Sequence, residues 1–176
     1  DEPYLICRSL KNSTVVINAK RAKAARWAEE NLKPDVFILD DGFQHWKLYR
    51  DLDMVLIDSQ NPFGNGKLIP LGILREPLKA LSRADLIVWS KADASRPTQE
   101  ICAEVKYFYQ GEILQSHYKF YSAKESETNQ EIDLRSLRNR ILLAFCGIGS
   151  PESFFTMLEE SGLKVEKKMS FPDHYS

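Results

Sequence analysis

Short apolar runs alternate with helical patterns along the first two thirds of the chain. The runs are typical of buried strands and cover residues 14–17, 36–39, 54–57 and 86–89. Helices are predicted over residues 19–32, with Pro34 just beyond the end, and over residues 98–109. Runs without polar alternation are typical of parallel strands buried on both faces. This order of elements predicts an open, mostly parallel α/β sheet.

The pattern changes after Gly111. Residues 113–121 alternate in polarity, residues 122–131 are polar and predict a surface loop, and residues 141–145 predict a new buried strand. Ser150 is predicted to cap a helix with Pro151 at its first position and Gly162 just past its end. We therefore predict two parts, a first lobe over residues 1–112 and a second α/β lobe over residues 113–176.

Composition limits the classes of protein that are possible. The 176 residues are 43% hydrophobic and 28% charged, enough to build a real core. The formal net charge of −1 supplies no field for gathering nucleic acid. Three cysteines without a Cys-x-x-Cys pair favour a reducing compartment, with each thiol serving as a small core side chain. No apolar run approaches the roughly 18 residues that a membrane span needs.

An acidic motif follows the run at residues 36–39. Residues 40–45 read Asp-Asp-Gly-Phe-Gln-His. Ligands in open α/β sheets bind beyond the carboxyl ends of strands, and adjacent carboxylates there can hold Mg²⁺ directly or through its waters. A strand ending in Asp is also the Walker B pattern of P-loop enzymes. Asp40 and Asp41 are therefore candidate metal ligands, with Gly42 allowing a sharp turn. The alternative is a solvated turn.

A second motif, Arg75-Glu76-Pro77, follows a turn at Asn65-Gly66. Pro77 favours an extended backbone at Glu76, whose carboxylate could complete a metal shell. The guanidinium of Arg75 could donate two parallel hydrogen bonds to phosphate oxygens. The alternative is a surface ion pair.

Two further motifs carry candidate chemistry. Ser90-Lys91-Ala92-Asp93 is similar to the base-reading motif of GTPases, with a helix cap as the alternative. At the two ends lie residues 1–4, Asp-Glu-Pro-Tyr, and residues 171–175, Phe-Pro-Asp-His-Tyr. A carboxylate and an imidazole from these ends could together remove a hydroxyl proton, although a histidine near a terminus is usually a surface residue.

These motifs, in this order, resemble the tetraacyldisaccharide 4′-kinase family, the lipid A 4′-kinases of Gram-negative bacteria. The resemblance runs the whole length of the chain. It rests on the blocks already quoted and on residues 50–53 (Arg-Asp-Leu-Asp), 74–78 (Leu-Arg-Glu-Pro-Leu), 83–85 (Arg-Ala-Asp) and 145–149 (Phe-Cys-Gly-Ile-Gly).

The resemblance implies a P-loop kinase fold with a second, smaller α/β lobe. It implies transfer of the ATP γ-phosphoryl group to the 4′-hydroxyl of a tetraacylated glucosamine disaccharide 1-phosphate, with ATP and Mg²⁺ as cofactors, at the cytoplasmic face of the inner membrane. By motif, Asp1 resembles the base and His174 its partner. The implied metal residues are Asp40, Asp41 and Glu76. The residues implied to contact nucleotide or substrate are Gln44, His45 and Arg75.

The chain departs from the family in one large respect. No Gly-x4-Gly-Lys-[Ser/Thr] motif occurs in it. The resemblance implies that this phosphate-binding loop and a membrane-contacting helix precede Asp1, that further strands and a helix follow Ser176, and that these residues alone are inactive. The alternatives at this stage are a GTPase-like enzyme and a non-catalytic remnant.

Overall fold

A three-stranded parallel sheet forms the centre of the first part of the protein. The computed structural model describes residues 2–92 and 97–172. Strands β1 (Met54–Asp58), β2 (Leu86–Ser90) and β3 (Ile113–Gln115) pair in the order β1-β2-β3. All pairs are parallel, with Ile57 opposite Trp89. The prediction of a parallel α/β sheet, including the strands at 54–57 and 86–89, is confirmed.

Helices connect and flank the strands. They are α1 (Glu2–Ser9), α2 (Arg21–Asn31), α3 (Gln99–Phe108), α4 (Leu134–Arg138) and α5 (Pro151–Glu160), with a 3-10 helix at Leu78–Arg83. The helices predicted over 19–32 and 98–109 correspond to α2 and α3. Helix α3 begins after Thr98, whose hydroxyl accepts a hydrogen bond from the Ile101 N–H at 3.4 Å. In the described part of the chain, no helix combines the length and apolar character that crossing a bilayer requires.

The core of the first sheet lies between the strands, α3 and the 3-10 helix. Its buried members are Ile57, Leu81, Ala84, Ile87, Trp89, Val105 and Tyr109. The 3-10 helix therefore packs one side against the core, and Arg83 at its end is fixed close to the start of β2. Phe43, from the acidic motif, packs partly buried against the same core.

A second parallel pair lies in the C-terminal part. Strands β6 (Ile141–Cys146) and β7 (Lys164–Ser170) pair in parallel around α5, with Phe155 at the centre of their core. Pro151 opens α5, and Gly162 follows it at φ +78°, as predicted. The cap differs, because the Ser150 side chain makes no capping bond; its hydroxyl lies 3.4 Å from Gln60 Oε1.

Two predicted strands are wrong. Residues 14–17 and 36–39 form no ladder with any strand among residues 2–92 and 97–172. The run at 36–39 is extended and open to solvent, with Ile38 94% exposed. Apolar content gives a segment the propensity for a strand, but a strand exists only where a neighbour satisfies its backbone groups.

The region around the predicted lobe boundary also differs from expectation. Strand β3 lies in the first sheet, since Ile113 pairs with Ile87. The division at residue 113 remains a prediction, but it would separate β3 from its own sheet. The loop predicted over 122–131 contains β4 (Ala123–Lys124), which pairs antiparallel with β5 (Glu131–Ile132).

Ile87 offers a direct test of the core. Its side chain is fully buried, at 0% exposure, whereas the chemically identical Ile38 is 94% exposed. Ile87→Ala should lower the free energy of unfolding by about 2–5 kcal/mol, because it removes buried methyl groups and leaves a cavity. Ile38→Ala should change it by less than about 0.5 kcal/mol. Urea unfolding followed by circular dichroism measures both, and equal losses would contradict the assigned core.

Candidate active site

The acidic motif forms a tight turn. Asp40 and Asp41 are exposed, and Asp41 takes a left-handed backbone conformation with φ 53°. The His45 N–H donates to the Gly42 carbonyl at 2.9 Å and closes the turn. The left-handed position is therefore Asp41 rather than Gly42, consistent with the tolerance of Asp for this region. The turn displays two adjacent carboxylates to solvent.

The second motif is presented by a closed loop. The Asn65 side chain donates to the Leu71 carbonyl at 2.8 Å, and the Leu74 N–H donates to the Lys67 carbonyl at 3.2 Å. Gly72 is required where the loop folds back, because a Cβ there would lie 2.1 Å from the Lys67 carbonyl oxygen. The loop ends at Arg75, and its internal bonds determine where Arg75 and Glu76 lie.

Two contacts join the motifs, and the one between Asp41 and Arg75 spans 34 residues of sequence. Arg75 Nη2 lies 3.1 Å from Asp41 Oδ2, with both side chains more than half exposed. The Gln44 side chain hydrogen-bonds to the Glu76 carboxylate. Four predicted site residues, Asp41, Gln44, Arg75 and Glu76, are therefore brought together. The Asp41–Arg75 pair is an exposed one and contributes little to stability.

Glu76 has a partner that the sequence analysis did not identify. Arg83 Nη1 and Nη2 donate to its two carboxylate oxygens at 2.8 and 3.1 Å. The hydrogen bonds from Arg83 lower the pKa of Glu76; partial burial opposes this shift and the Gln44 hydrogen bond adds to it. Glu76 is therefore held as a carboxylate with both oxygens engaged. Arg83 was part of a family block, but no spacing in the sequence indicated this contact.

His45 is anchored through its backbone. Arg50 Nη1 donates to the His45 carbonyl at 2.7 Å, while the same guanidinium forms a two-bond ion pair with Asp53. Asp53 in turn donates its N–H to the Asp85 carboxylate at 2.8 Å, just before β2. Arg50 thus links the acidic turn to the start of the sheet.

The carboxyl ends of β1 and β2 carry a separate ion pair. Lys91 Nζ donates to the carboxylate of Asp58, at the end of β1. Burial acts to raise the pKa of Asp58, but hydrogen bonds from Lys91 and from the Gln60 and Asn61 N–H groups outweigh it and lower that pKa. Lys91 of the GTPase-like motif is therefore already paired, and Asp93 lies outside the described residues.

A cavity of about 480 Å³ lies beside Lys91, lined by Tyr118, Phe154 and Met157 among others. No residue of the acidic turn or of the Arg75-Glu76 motif lines it. Its position therefore does not mark the site predicted from the motifs.

The metal prediction can be tested against the donor set. Among residues 2–92 and 97–172, no three His, Cys, Asp or Glu side chains are grouped to hold a metal ion. Asp40 and Asp41 remain as an adjacent pair, and Mg²⁺ is commonly held by one or two carboxylates plus waters and substrate phosphates. The pair fits Mg²⁺ in this way. Asp1 and His174, the predicted base and its partner, lie outside the described residues, and the structure does not test them.

The parallel sheets define an α/β protein, and the acidic turn beside an arginine is its candidate site for metal-bound phosphate groups. The sequence model of the family described as tetraacyldisaccharide-1-P 4'-kinase matches residues 1–176. The chain therefore belongs to the tetraacyldisaccharide-1-P 4'-kinase family.

Individual members of this family are similar to the chain over almost its whole length. The tetraacyldisaccharide 4'-kinase of Halothermothrix orenii is 38% identical over 187 residues, covering 99% of this chain and 49% of that protein. The Aquifex aeolicus enzyme is 38% identical over 175 residues, covering 99% and 52%. A crystal structure of LpxK from Aquifex aeolicus in complex with ATP matches with a TM-score of 0.73 at 37% identity, covering 99% of this chain and 52% of that one. The chain spans about half the length of the relatives it matches.

Proposed function

We propose that this chain supplies the acidic, metal-binding part of the active site of a tetraacyldisaccharide 4′-kinase. The reaction is transfer of the ATP γ-phosphoryl group to the 4′-hydroxyl of a tetraacylated glucosamine disaccharide 1-phosphate, a lipid A precursor, at the cytoplasmic face of the inner membrane. The observation that carries the proposal is the Asp40-Asp41 turn facing Arg75, within a chain matched by the family over residues 1–176. The similar Aquifex aeolicus protein was crystallised with ATP.

Each site residue that the structure describes has a role that its position supports. Asp40 and Asp41 would hold Mg²⁺, which would neutralise phosphate charge at the site. Arg75 lies 3.1 Å from Asp41 and can turn its exposed guanidinium to phosphate oxygens. Gln44 and His45 belong to the same turn. Gln44 hydrogen-bonds to Glu76, and the His45 carbonyl accepts a hydrogen bond from Arg50. Asp1 removes the hydroxyl proton with His174 as its partner, a role that rests on the family motif alone.

Phosphoryl transfer requires mainly positioning and neutralisation of charge. For charge neutralisation, the described residues supply two carboxylates for a cation and an arginine for an anion. Positioning of the phosphates in P-loop enzymes is the task of a backbone loop and its lysine. Because no such motif occurs in these 176 residues, the activity is proposed for a protein that also contains that element.

The experiment is a hybrid enzyme. This chain replaces the matching half of the Aquifex aeolicus relative, and the purified hybrid is given labelled ATP, Mg²⁺ and the tetraacyldisaccharide 1-phosphate. We expect Mg²⁺-dependent label on the lipid, and more from ATP than from GTP. The hybrid with its P-loop lysine replaced is the matched control. A folded hybrid that binds ATP yet transfers no label would contradict the proposal, and a preference for GTP would favour the GTPase-like alternative.

A further inference from the structure

Arg83 occupies an unusual position beside the acidic turn. Its guanidinium lies 4.3 Å from the ring centroid of Phe43 and 4.0 Å from that of Trp46. The same group makes the two-bond ion pair with Glu76 at 2.8 and 3.1 Å. The Arg83 and Glu76 side chains are 27% and 19% exposed, so the pair is largely withdrawn from solvent. One guanidinium therefore contacts two aromatic rings and one carboxylate together.

These contacts connect three separate segments. Phe43 belongs to the acidic motif and Trp46 follows it directly, Glu76 belongs to the second motif, and Arg83 ends the 3-10 helix that packs on the core. The acidic turn has no strand ladder on its N-terminal side to fix it, because residues 36–39 pair with no strand of the described residues. Arg83 thus joins the turn to the packed 3-10 helix, in addition to the contacts of Arg50 with the His45 carbonyl and of Arg75 with Asp41.

We propose that Arg83 is a positioning residue, which holds the Asp40-Asp41 turn in its metal-binding geometry by stacking on Phe43 and Trp46 while Glu76 fixes its guanidinium. Glu76 then acts on the site through Arg83 and not as a direct ligand of Mg²⁺. This inference rests on the proposed function, because it takes Asp40 and Asp41 as the metal carboxylates.

The hydrogen bonds that the Glu76 carboxylate accepts support this inference. Both of its oxygens accept hydrogen bonds from Arg83, and Gln44 contacts the same carboxylate. A direct metal ligand would need to free an oxygen from a cation that is itself largely buried. Residues that orient metal ligands from outside the coordination sphere are known to affect metal affinity strongly.

Arginine is required for this combination of contacts. Its planar guanidinium can pair with a carboxylate along one edge and stack on aromatic rings with its face. Lysine keeps the charge, but it has neither the fork geometry nor the flat surface. Arg83→Lys should therefore restore only part of what Arg83→Gln loses, and Trp46→Leu should weaken the stacking without touching the ion pair.

Metal binding by the whole chain provides the test, with Mn²⁺ as the probe. Free Mn²⁺ is measured by electron paramagnetic resonance, and Trp46 is followed by ¹⁹F NMR after labelling with 5-fluorotryptophan. We expect Arg83→Gln and Glu76→Gln each to weaken Mn²⁺ binding about tenfold. Because the two residues act as a unit, the double variant should be no weaker than either single variant. Arg83→Lys should fall between wild type and Arg83→Gln.

The Trp46 resonance gives a readout that does not depend on the metal. It should shift in both single variants, because both release the guanidinium from the ring. Lys168→Gln is the matched control, since Lys168 of β7 pairs with Glu159 at 2.8 Å and lies 5.7 Å from the ring of Phe155 in α5. It should change neither Mn²⁺ affinity nor the Trp46 signal. Circular dichroism confirms that each variant is folded; if Arg83→Gln is not, Trp46→Leu replaces it, with Mn²⁺ affinity as its readout.

The outcomes separate the two proposals. If Glu76→Gln weakens Mn²⁺ binding while Arg83→Gln does not, Glu76 is a direct ligand and the inference about Arg83 is wrong. It is also wrong if both variants bind Mn²⁺ as wild type does while Asp40→Asn binds it weakly, and the proposed function then stands. Unchanged Mn²⁺ affinity in Asp40→Asn would remove the metal site itself and overturn both.

Discussion

Replacing Asp40 by alanine in the hybrid enzyme is expected to lower kcat by about 10²–10³-fold, the usual loss when one preorganised charge-stabilising group is removed. Asp40 is exposed next to Asp41, whose carboxylate is already paired with Arg75 at 3.1 Å. Losing Asp40 therefore leaves the cation with one carboxylate that an arginine also contacts. Steady-state kinetics over a range of Mg²⁺ concentrations measure the loss.

The control for this prediction is Asp35→Ala. Asp35 is an exposed aspartate five residues earlier and outside the turn. It should leave kcat unchanged, and thermal melts of both variants should show that stability is equally unaffected. Wild-type turnover of the Asp40 variant at saturating Mg²⁺ would show that Asp40 is not part of the metal site.

Removing either Asp1 or His174 is expected to lower kcat of the hybrid by about 10²–10⁴-fold, the range for general acid–base catalysis. An aspartate with an ordinary pKa near 3.9 is a weak base at neutral pH, and a neighbouring imidazole can orient it or accept its proton. If the two residues act as one base, the double variant Asp1→Ala, His174→Ala should be little slower than the slower single variant.

His117→Ala is the matched control, because His117 is an exposed histidine of the described region. Its kcat should stay at the wild-type value. Losses that multiply in the double variant would show that Asp1 and His174 act independently, and the idea of a shared base would then fail.

The sequence predicted the paired strands and packed helices well, but not their degree of burial, because β1 and β6 each leave one face exposed. Strands β1, β2 and β6 and helices α3 and α5 were predicted because each buries residues against its own part of the chain, such as Ile87 and Val105 in one core and Phe155 in the other. Residues 14–17 and 36–39 have equally strong strand propensity but form no ladder within residues 2–92 and 97–172, because propensity does not supply a pairing partner. Periodicity reports which side chains favour burial and not whether a neighbour is present.

The candidate site was predictable residue by residue, but its connections were not. The motifs indicated Asp41 and Arg75, and the structure places them in contact across 34 residues of sequence. No site role was predicted for Arg83, because a basic residue at the end of a short helix is common in protein sequences. Its role depends on the rings of Phe43 and Trp46, which reach it only after the chain has folded.

The exposed run at residues 36–39 gives the acidic turn a second consequence, for solubility. Among the described residues this segment of Val, Phe, Ile and Leu pairs with no strand, and an exposed apolar segment of this kind is a template on which identical chains can stack as parallel, in-register strands. Such a stack would place Asp40 and Asp41 directly above their own copies, about 4.8 Å apart, where like charges repel. In such a stack the two carboxylates would oppose self-assembly, as gatekeeper charges do. A variant that neutralises them to abolish metal binding also removes this protection, so its concentration must be kept low.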